Sequence, residues 1–122
     1  MISEQFKELP EFKDYILIES SATHKKGYSG VAVLIHINIQ KEIKVLSKEI
    51  GIKHFDQEGR FLILKHKNFT LYNIYFPSGT SGDERQKFKY KFLDAFFEHL
   101  ESLPAKTKDQ LIICGDFNIC HK

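Results

Sequence analysis

Phe88, Phe92, Phe96 and Leu100 recur at every fourth position, and Leu93 and Phe97 widen the same stripe. That spacing predicts one long amphipathic helix over 84–102, ended by Pro104. No other stretch shows a long helical period, so the stripe has to find its apolar partner elsewhere. The rest of the chain offers strands. "YILIE" (15–19) is β-rich. "VAVLIHINI" (31–39) carries Val31, Val33, Ile35, Ile37 and Ile39 on one face. "EIKVLS" (42–47) alternates and is expected to pair beside 31–39. "RFLILKH" (60–66) and "FTLYNIYF" (69–76), split by Lys67-Asn68, read as a hairpin. "QLIICG" (110–115) reads as a final strand buried on both faces by its composition. A short helix is expected over 3–9, capped by Ser3 and stopped by Pro10. The order is then one helix, five strands, the long helix and a last strand, which predicts a layered α/β fold: a mixed or antiparallel sheet with a long packing helix.

At 122 residues the chain is one domain or part of one. Eleven Phe and 42% hydrophobic residues suffice for a core, so most of the Phe content is core. No stretch is long and apolar enough for a membrane span, and the first residues lack the apolar run of a signal peptide. A cytoplasmic protein is expected, nucleoid-associated if bacterial. Cys114 and Cys120 are too few for a disulfide framework and read as reduced thiols; with His121 they lack regular zinc-ligand spacing. The formal net charge of +2 permits a nucleic-acid partner without demanding one.

Polar residues gather at 25–30, 75–85 and 115–121, each at a strand end or beside a glycine, where loops on a rigid scaffold carry function. In "GDFN" (115–118), extended geometry would point Asp116 and Asn118 the same way. The carboxylate can bind a hard cation or take a proton from water. The amide can donate to an anionic oxygen or ligate a metal through its carbonyl. Gly-Asp-x-Asn is equally good turn chemistry. Tyr75, at the end of a strand and before "FPSG", can donate to a phosphate, or it is simply a half-buried strand tyrosine. Lys25, Lys26, Gly27, Tyr28 and Ser29 combine charge, backbone access and an aromatic ring, the makings of a phosphate contact or of a solvated loop. Arg85 begins the long helix near Pro77–Gly79, whereas Lys87, Lys89 and Lys91 read as its wet face.

Taken together and in order, "KKGYSGVAVL" (25–34), "DQEGRFLIL" (56–64), "YFPSGTSGDER" (75–85) and "IICGDFNI" (112–119) resemble the exonuclease III family of apurinic/apyrimidinic (AP) endonucleases, within the endonuclease/exonuclease/phosphatase superfamily. The likeness runs from about Glu4 to Lys122. GDFN is shared across the superfamily; GYSGV, DQEGR and YFPSG are more specific to the DNA-repair branch. The resemblance implies part of a four-layered, DNase I-like α/β sandwich. It implies Mg²⁺-dependent cleavage, with Mn²⁺ as a substitute, of double-stranded DNA on the 5′ side of abasic sites or at 3′ ends, by a monomeric enzyme with no membrane partner. It assigns Tyr75 to the scissile phosphate, Asp116 to the attacking water and the metal, and Asn118 to the same water and phosphate. It places Lys25, Lys26, Gly27, Tyr28, Ser78 and Arg85 on the DNA. Ser78 stands where relatives often have Asn or Gln, which shortens its reach.

The family's metal-holding Gln-Glu pair and an earlier Asn would precede Met1; a later Asp and a terminal Asp-His pair would follow Lys122. Residues 1–122 are therefore expected to form a single partial domain, roughly the middle half of such an enzyme, with an incomplete metal site at Asp116 and Asn118 and little activity alone. Another superfamily phosphoesterase, or a DNA-binding remnant without catalysis, are the alternatives.

Overall fold

The helix stripe finds its partner on the face of a four-stranded sheet. In the computed structural model, which describes residues 12–23, 29–77 and 82–118, strands β1 (Tyr15–Ser21) and β2 (Gly30–His36) form one antiparallel pair. Strands β3 (Lys44–Ser47), β4 (Phe61–Lys65), β5 (Thr70–Tyr75) and β6 (Leu111–Asp116) form a second sheet in the order β3-β4-β5-β6. β3, β4 and β5 are mutually antiparallel neighbours, while β6 runs parallel to β5. A parallel neighbour needs a crossover. Here it is built from helices α2 (Asp83–Glu101) and α3 (Ala105–Asp109); a single-turn helix α1 (Lys53–Asp56) precedes β4.

Alternation along β4 and β5 divides the apolar residues between two faces. Phe61, Ile63, Tyr72 and Ile74 meet Phe92 and Phe96 of α2, with Phe55 and Phe76 closing the cluster. Phe61 stacks on Phe92 at 5.2 Å, and Phe76 meets Phe96 edge-on at 5.7 Å. Leu62 and Leu64 point the other way, onto Ile35, Ile18, Val31 and Val33 of the β1–β2 pair. Asn73 Nδ2 donates to the Ala32 carbonyl at 2.8 Å and ties the two sheets together. The architecture is a mixed α/β fold of two sheets and one long helix.

The elements fall largely where periodicity puts them, with α3 unforeseen and with these further differences. β2 stops at His36, and Ile37 and Ile39 lie exposed in the turn that follows. β3 pairs with β4 rather than with β2; a short alternating strand carries no mark of which sheet it joins. Residues 51–59, which read as a loop, contain α1, where Asp56 accepts the N–H groups of Ile50 and Gly51 at 2.9 and 3.0 Å. β6 is not buried on both faces: among the described residues it pairs with β5 alone, and Ile112 remains 47% exposed. The helix expected over 3–9 lies outside the described residues.

Under α2, the Tyr72 hydroxyl and His99 Nε2 are 2.7 Å apart. Burial raises the Tyr72 pKa. Burial lowers that of His99, against an opposing pull from Asp56. The phenol and the imidazole share one hydrogen bond, and burial disfavours the charged form of each. A histidine whose folded pKa lies below its unfolded value of about 6.5 leaves the unfolded state holding more protons in that window. Its contribution to stability is complete above about pH 6.5 and is lost as pH falls through the lowered value. The melting temperature is expected to drop on acidification from about pH 7.5 to about pH 5 by more in the parent than in His99→Gln. An equal drop in both would remove His99 from the account.

Candidate active site

β5 and β6 end side by side. Their parallel register pairs Tyr75 with Asp116, the last residue of each strand. Ligands of open α/β sheets gather beyond the carboxyl ends of parallel strands, where connecting loops diverge and backbone groups are left to bind. Gly115 lets β6 approach this closely. Its φ is +129°, and a Cβ built on it would lie 2.0 Å from the Ile74 carbonyl oxygen.

Beyond Asp116 the chain turns. Asp116 Oδ1 accepts the backbone N–H of Asn118 at 3.0 Å. Asn118 takes a left-handed φ of 49°, which asparagine tolerates better than most residues. Its Nδ2 donates to the Phe76 carbonyl at 2.5 Å, and Lys89 Nζ of α2 donates to its carbonyl oxygen at 2.7 Å. The Phe117 ring packs on Phe76 at 5.0 Å. Extended geometry therefore does not hold Asp116 and Asn118 together, because the strand has already ended; a side-chain-closed turn does. Asp116 is exposed, and its Oδ2 has no hydrogen-bond or ion-pair partner among the described residues.

Tyr75 is gripped from its other side. Its N–H donates to the Arg60 carbonyl at 2.9 Å. Arg60 Nη1 donates to the Tyr75 carbonyl at 3.0 Å, and the guanidinium lies over the phenol ring at 4.9 Å, with Phe88 5.8 Å away. Arg60 is 3% exposed and its partner Glu58 8%; Arg60 Nε meets Glu58 Oε1 at 2.8 Å. A guanidinium buried this deeply needs both a counter-charge and hydrogen bonds, and it has them.

The same segment anchors the β1–β2 loop. Ser29 Oγ donates to the Glu58 carbonyl, and the Thr23 N–H donates to the Gln57 carbonyl at 2.7 Å. Gly59, at φ 63°, passes so close to Ser21 and Ala22 that a Cβ would fall within 2.6 Å of their backbone. Three of the four sequence motifs thus meet through side chains that donate to backbone carbonyls, with Ser29, Glu58–Gly59–Arg60 and Tyr75 in one train, and Asp116 continues it across β5.

Tyr75, Asp116 and Asn118 are brought together. Arg85 sits half-buried in the first turn of α2. Lys25, Lys26, Gly27, Tyr28 and Ser78 lie outside the described residues, although Thr23 and Ser29, which flank the first four, are held against 57–58. Three contributors went unrecognised. Glu58 and Arg60 bracket a glycine where a loop passes into the strand that opens with Arg60. Lys89 reads as part of a solvated charge run, yet Phe92 and Leu93 follow it at i+3 and i+4, which puts it on the border of the apolar stripe and within reach of the sheet end. Cys114 is half-buried and free, its thiol pushed up by burial. Among the described residues no group of three or more His, Cys, Asp or Glu gathers to hold a metal. None of their helices is long and apolar enough to cross a membrane.

No family model matches the sequence. Individual relatives do. The chain is 34% identical over 98 residues to the exodeoxyribonuclease of Bacillus subtilis, covering 80% of this chain and 36% of that protein. It is 35% identical over 116 residues to the DNA-(apurinic or apyrimidinic site) endonuclease of Dictyostelium discoideum, covering 93% and 30%. It is 30% identical over 118 residues to the DNA-(apurinic or apyrimidinic site) endonuclease 2 of Mus musculus, covering 80% and 21%. The chain spans about a third of the length of the first two.

Proposed function

This chain is a partial homologue of the exonuclease III family, and on that premise we propose that it contributes part of a phosphodiesterase site acting on the backbone of double-stranded DNA, at the 5′ side of abasic sites or at 3′ ends. The observation that carries the proposal is the pairing of Tyr75 with Asp116 at the ends of two adjacent parallel strands. A phenol and a carboxylate there can address one phosphate from two sides: Tyr75 donates to a non-bridging oxygen, and Asp116 orients a water or takes its proton. Asn118 keeps the turn that presents Asp116, its own amide being spent on Phe76. Lys25, Lys26, Gly27, Tyr28, Ser78 and Arg85 are the proposed DNA contacts, and the 122 residues are proposed to form part of one four-layered sandwich domain in a cytoplasmic, monomeric enzyme.

The donor set suits a hard divalent cation. An exposed carboxylate with one oxygen unshared is a fitting ligand for Mg²⁺, and the Asn118 side-chain carbonyl is the other candidate donor. When bound, Mg²⁺ or Mn²⁺ supplies charge neutralisation at the phosphate and acidifies water. Two such donors are few for a cation that prefers octahedral oxygen coordination, so residues 1–122 by themselves are expected to cleave little.

The test is incision of a duplex carrying a single abasic-site analogue, with intact duplexes having recessed 3′ ends alongside. The intact protein is expected to nick the first on the 5′ side or resect the second, only with Mg²⁺ or Mn²⁺, and Tyr75→Phe to lower the rate by about 10²-fold or more. Metal-independent cleavage would overturn the proposal. So would salt-dependent DNA binding that survives Tyr75→Phe and Asp116→Ala with no cleavage under any condition.

A further inference from the structure

We propose that Arg60 is a positioning residue, fixing the Tyr75 ring in the orientation that the phosphate contact requires. The inference rests on the proposed role of Tyr75. At a strand end a tyrosine has backbone neighbours but few side-chain walls, and Tyr75 is only half-buried. Its χ angles would ordinarily leave the ring free to swing. Arg60 removes that freedom in two ways at once. Nη1 holds the Tyr75 carbonyl at 3.0 Å, which fixes the backbone from which the ring projects. The planar guanidinium lies over the ring at 4.9 Å, on the negative face of the π-system. The guanidinium itself cannot wander, because Nε is paired with Glu58 at 2.8 Å and both residues are buried. Glu58 in turn belongs to the segment on which Ser29 and Thr23 hang.

A lysine would keep the charge but lose the planar face and the second, geometrically fixed donor. A mere staple between β4 and the 57–59 turn would need the Glu58 pair and the carbonyl bond, but not the stacking on Tyr75. The two roles therefore separate in a double-mutant cycle.

In the intact protein, Arg60→Lys is expected to lower kcat for abasic-duplex cleavage by about 10- to 100-fold while leaving KM within about twofold, the size of effect that slight misplacement of a reacting group produces. In a Tyr75→Phe background, Arg60→Lys should cost no more than about twofold further, since the hydroxyl being positioned is already gone. A second readout does not depend on cleavage: 3-fluorotyrosine at position 75 should give one fluorine resonance displaced from the exposed-tyrosine position in the parent and collapse toward that position in Arg60→Lys. Should Arg60→Lys fail to fold, Glu58→Gln frees the guanidinium while sparing the volume and should produce the same fluorine shift in weaker form.

The full loss from Arg60→Lys persisting on top of Tyr75→Phe would overturn the proposal and leave Arg60 a structural group. An unmoved fluorine resonance would overturn it too. If Tyr75→Phe alone left cleavage unchanged, the role of Tyr75 would be what failed, and the fluorine resonance would then decide the positioning question by itself.

Discussion

Gly115→Ala is expected to destabilise the protein by about 4 kcal/mol, the sum of left-handed backbone strain and a clash that side-chain motion cannot relieve. The added Cβ would sit 2.0 Å from the Ile74 carbonyl oxygen and 2.8 Å from its nitrogen, both backbone atoms of the neighbouring strand. Relief requires β6 to move away from β5, or φ to leave +129°. Either change breaks the register that sets Tyr75 beside Asp116. Gly51 supplies the control. It also has a left-handed φ, +94°, but nothing lies within 4 Å of its Cβ position. Gly51→Ala should therefore cost only about 1 kcal/mol, the conformational part alone. Urea titrations of the two variants measure the difference, and equal midpoints would show that close packing at Gly115 is not what makes glycine necessary there.

The contrast between those glycines marks how far the sequence could be read. Both are glycines at the edge of an apolar run, and neither spacing nor composition separates one in open space from one wedged against a strand. What periodicity does reveal is the face an element turns to its neighbour. Phe88, Phe92 and Phe96 specified a helix on a sheet, and the Lys67-Asn68 break specified the β4–β5 hairpin. It does not reveal which strands are neighbours: β3, expected beside β2, pairs with β4. It does not reveal edges either: Leu111-Ile112-Ile113 is as apolar as a central strand, but among the described residues β6 has a partner on one side only.

The candidate site was legible by the same measure. Tyr75, Asp116 and Asn118 stand out only in company: each reads singly as ordinary strand or turn chemistry, and the order of GYSGV, DQEGR, YFPSG and GDFN is what marks them. The roles of Arg60 and Lys89 do not stand out, since each acts on a backbone carbonyl distant in sequence, of Tyr75 and of Asn118, and a carbonyl leaves no trace in the residue code. The parallel register that joins Tyr75 to Asp116 comes from a crossover 35 residues long between β5 and β6 (residues 76–110), whose closure no local pattern encodes.

On the proposed role of Asp116, Asp116→Asn in the intact protein should lower metal-dependent cleavage by about 10³-fold while leaving stability within about 1 kcal/mol of the parent. Asp116 has two separable tasks. Its Oδ1 closes the turn by accepting the Asn118 N–H at 3.0 Å. That task needs an acceptor of the right shape, and an asparagine carbonyl serves. The other task falls to the carboxylate charge, which alone makes the residue a strong ligand for a hard cation and a proton acceptor. Asparagine keeps the first and loses the second. Alanine loses both, so Asp116→Ala should match the cleavage defect and add a stability loss of about 1–2 kcal/mol as the turn opens. Because Lys89 and Phe76 still hold Asn118 from two other directions, the opening should stay local, visible as faster amide exchange at Asn118 with β5 unaffected. Cleavage assays, melting curves and titration with Mn²⁺ on the three proteins separate the tasks. If Asp116→Asn cleaved as well as the parent, Asp116 would be a turn residue and nothing more, and the chemistry would have to be sought elsewhere on the sheet.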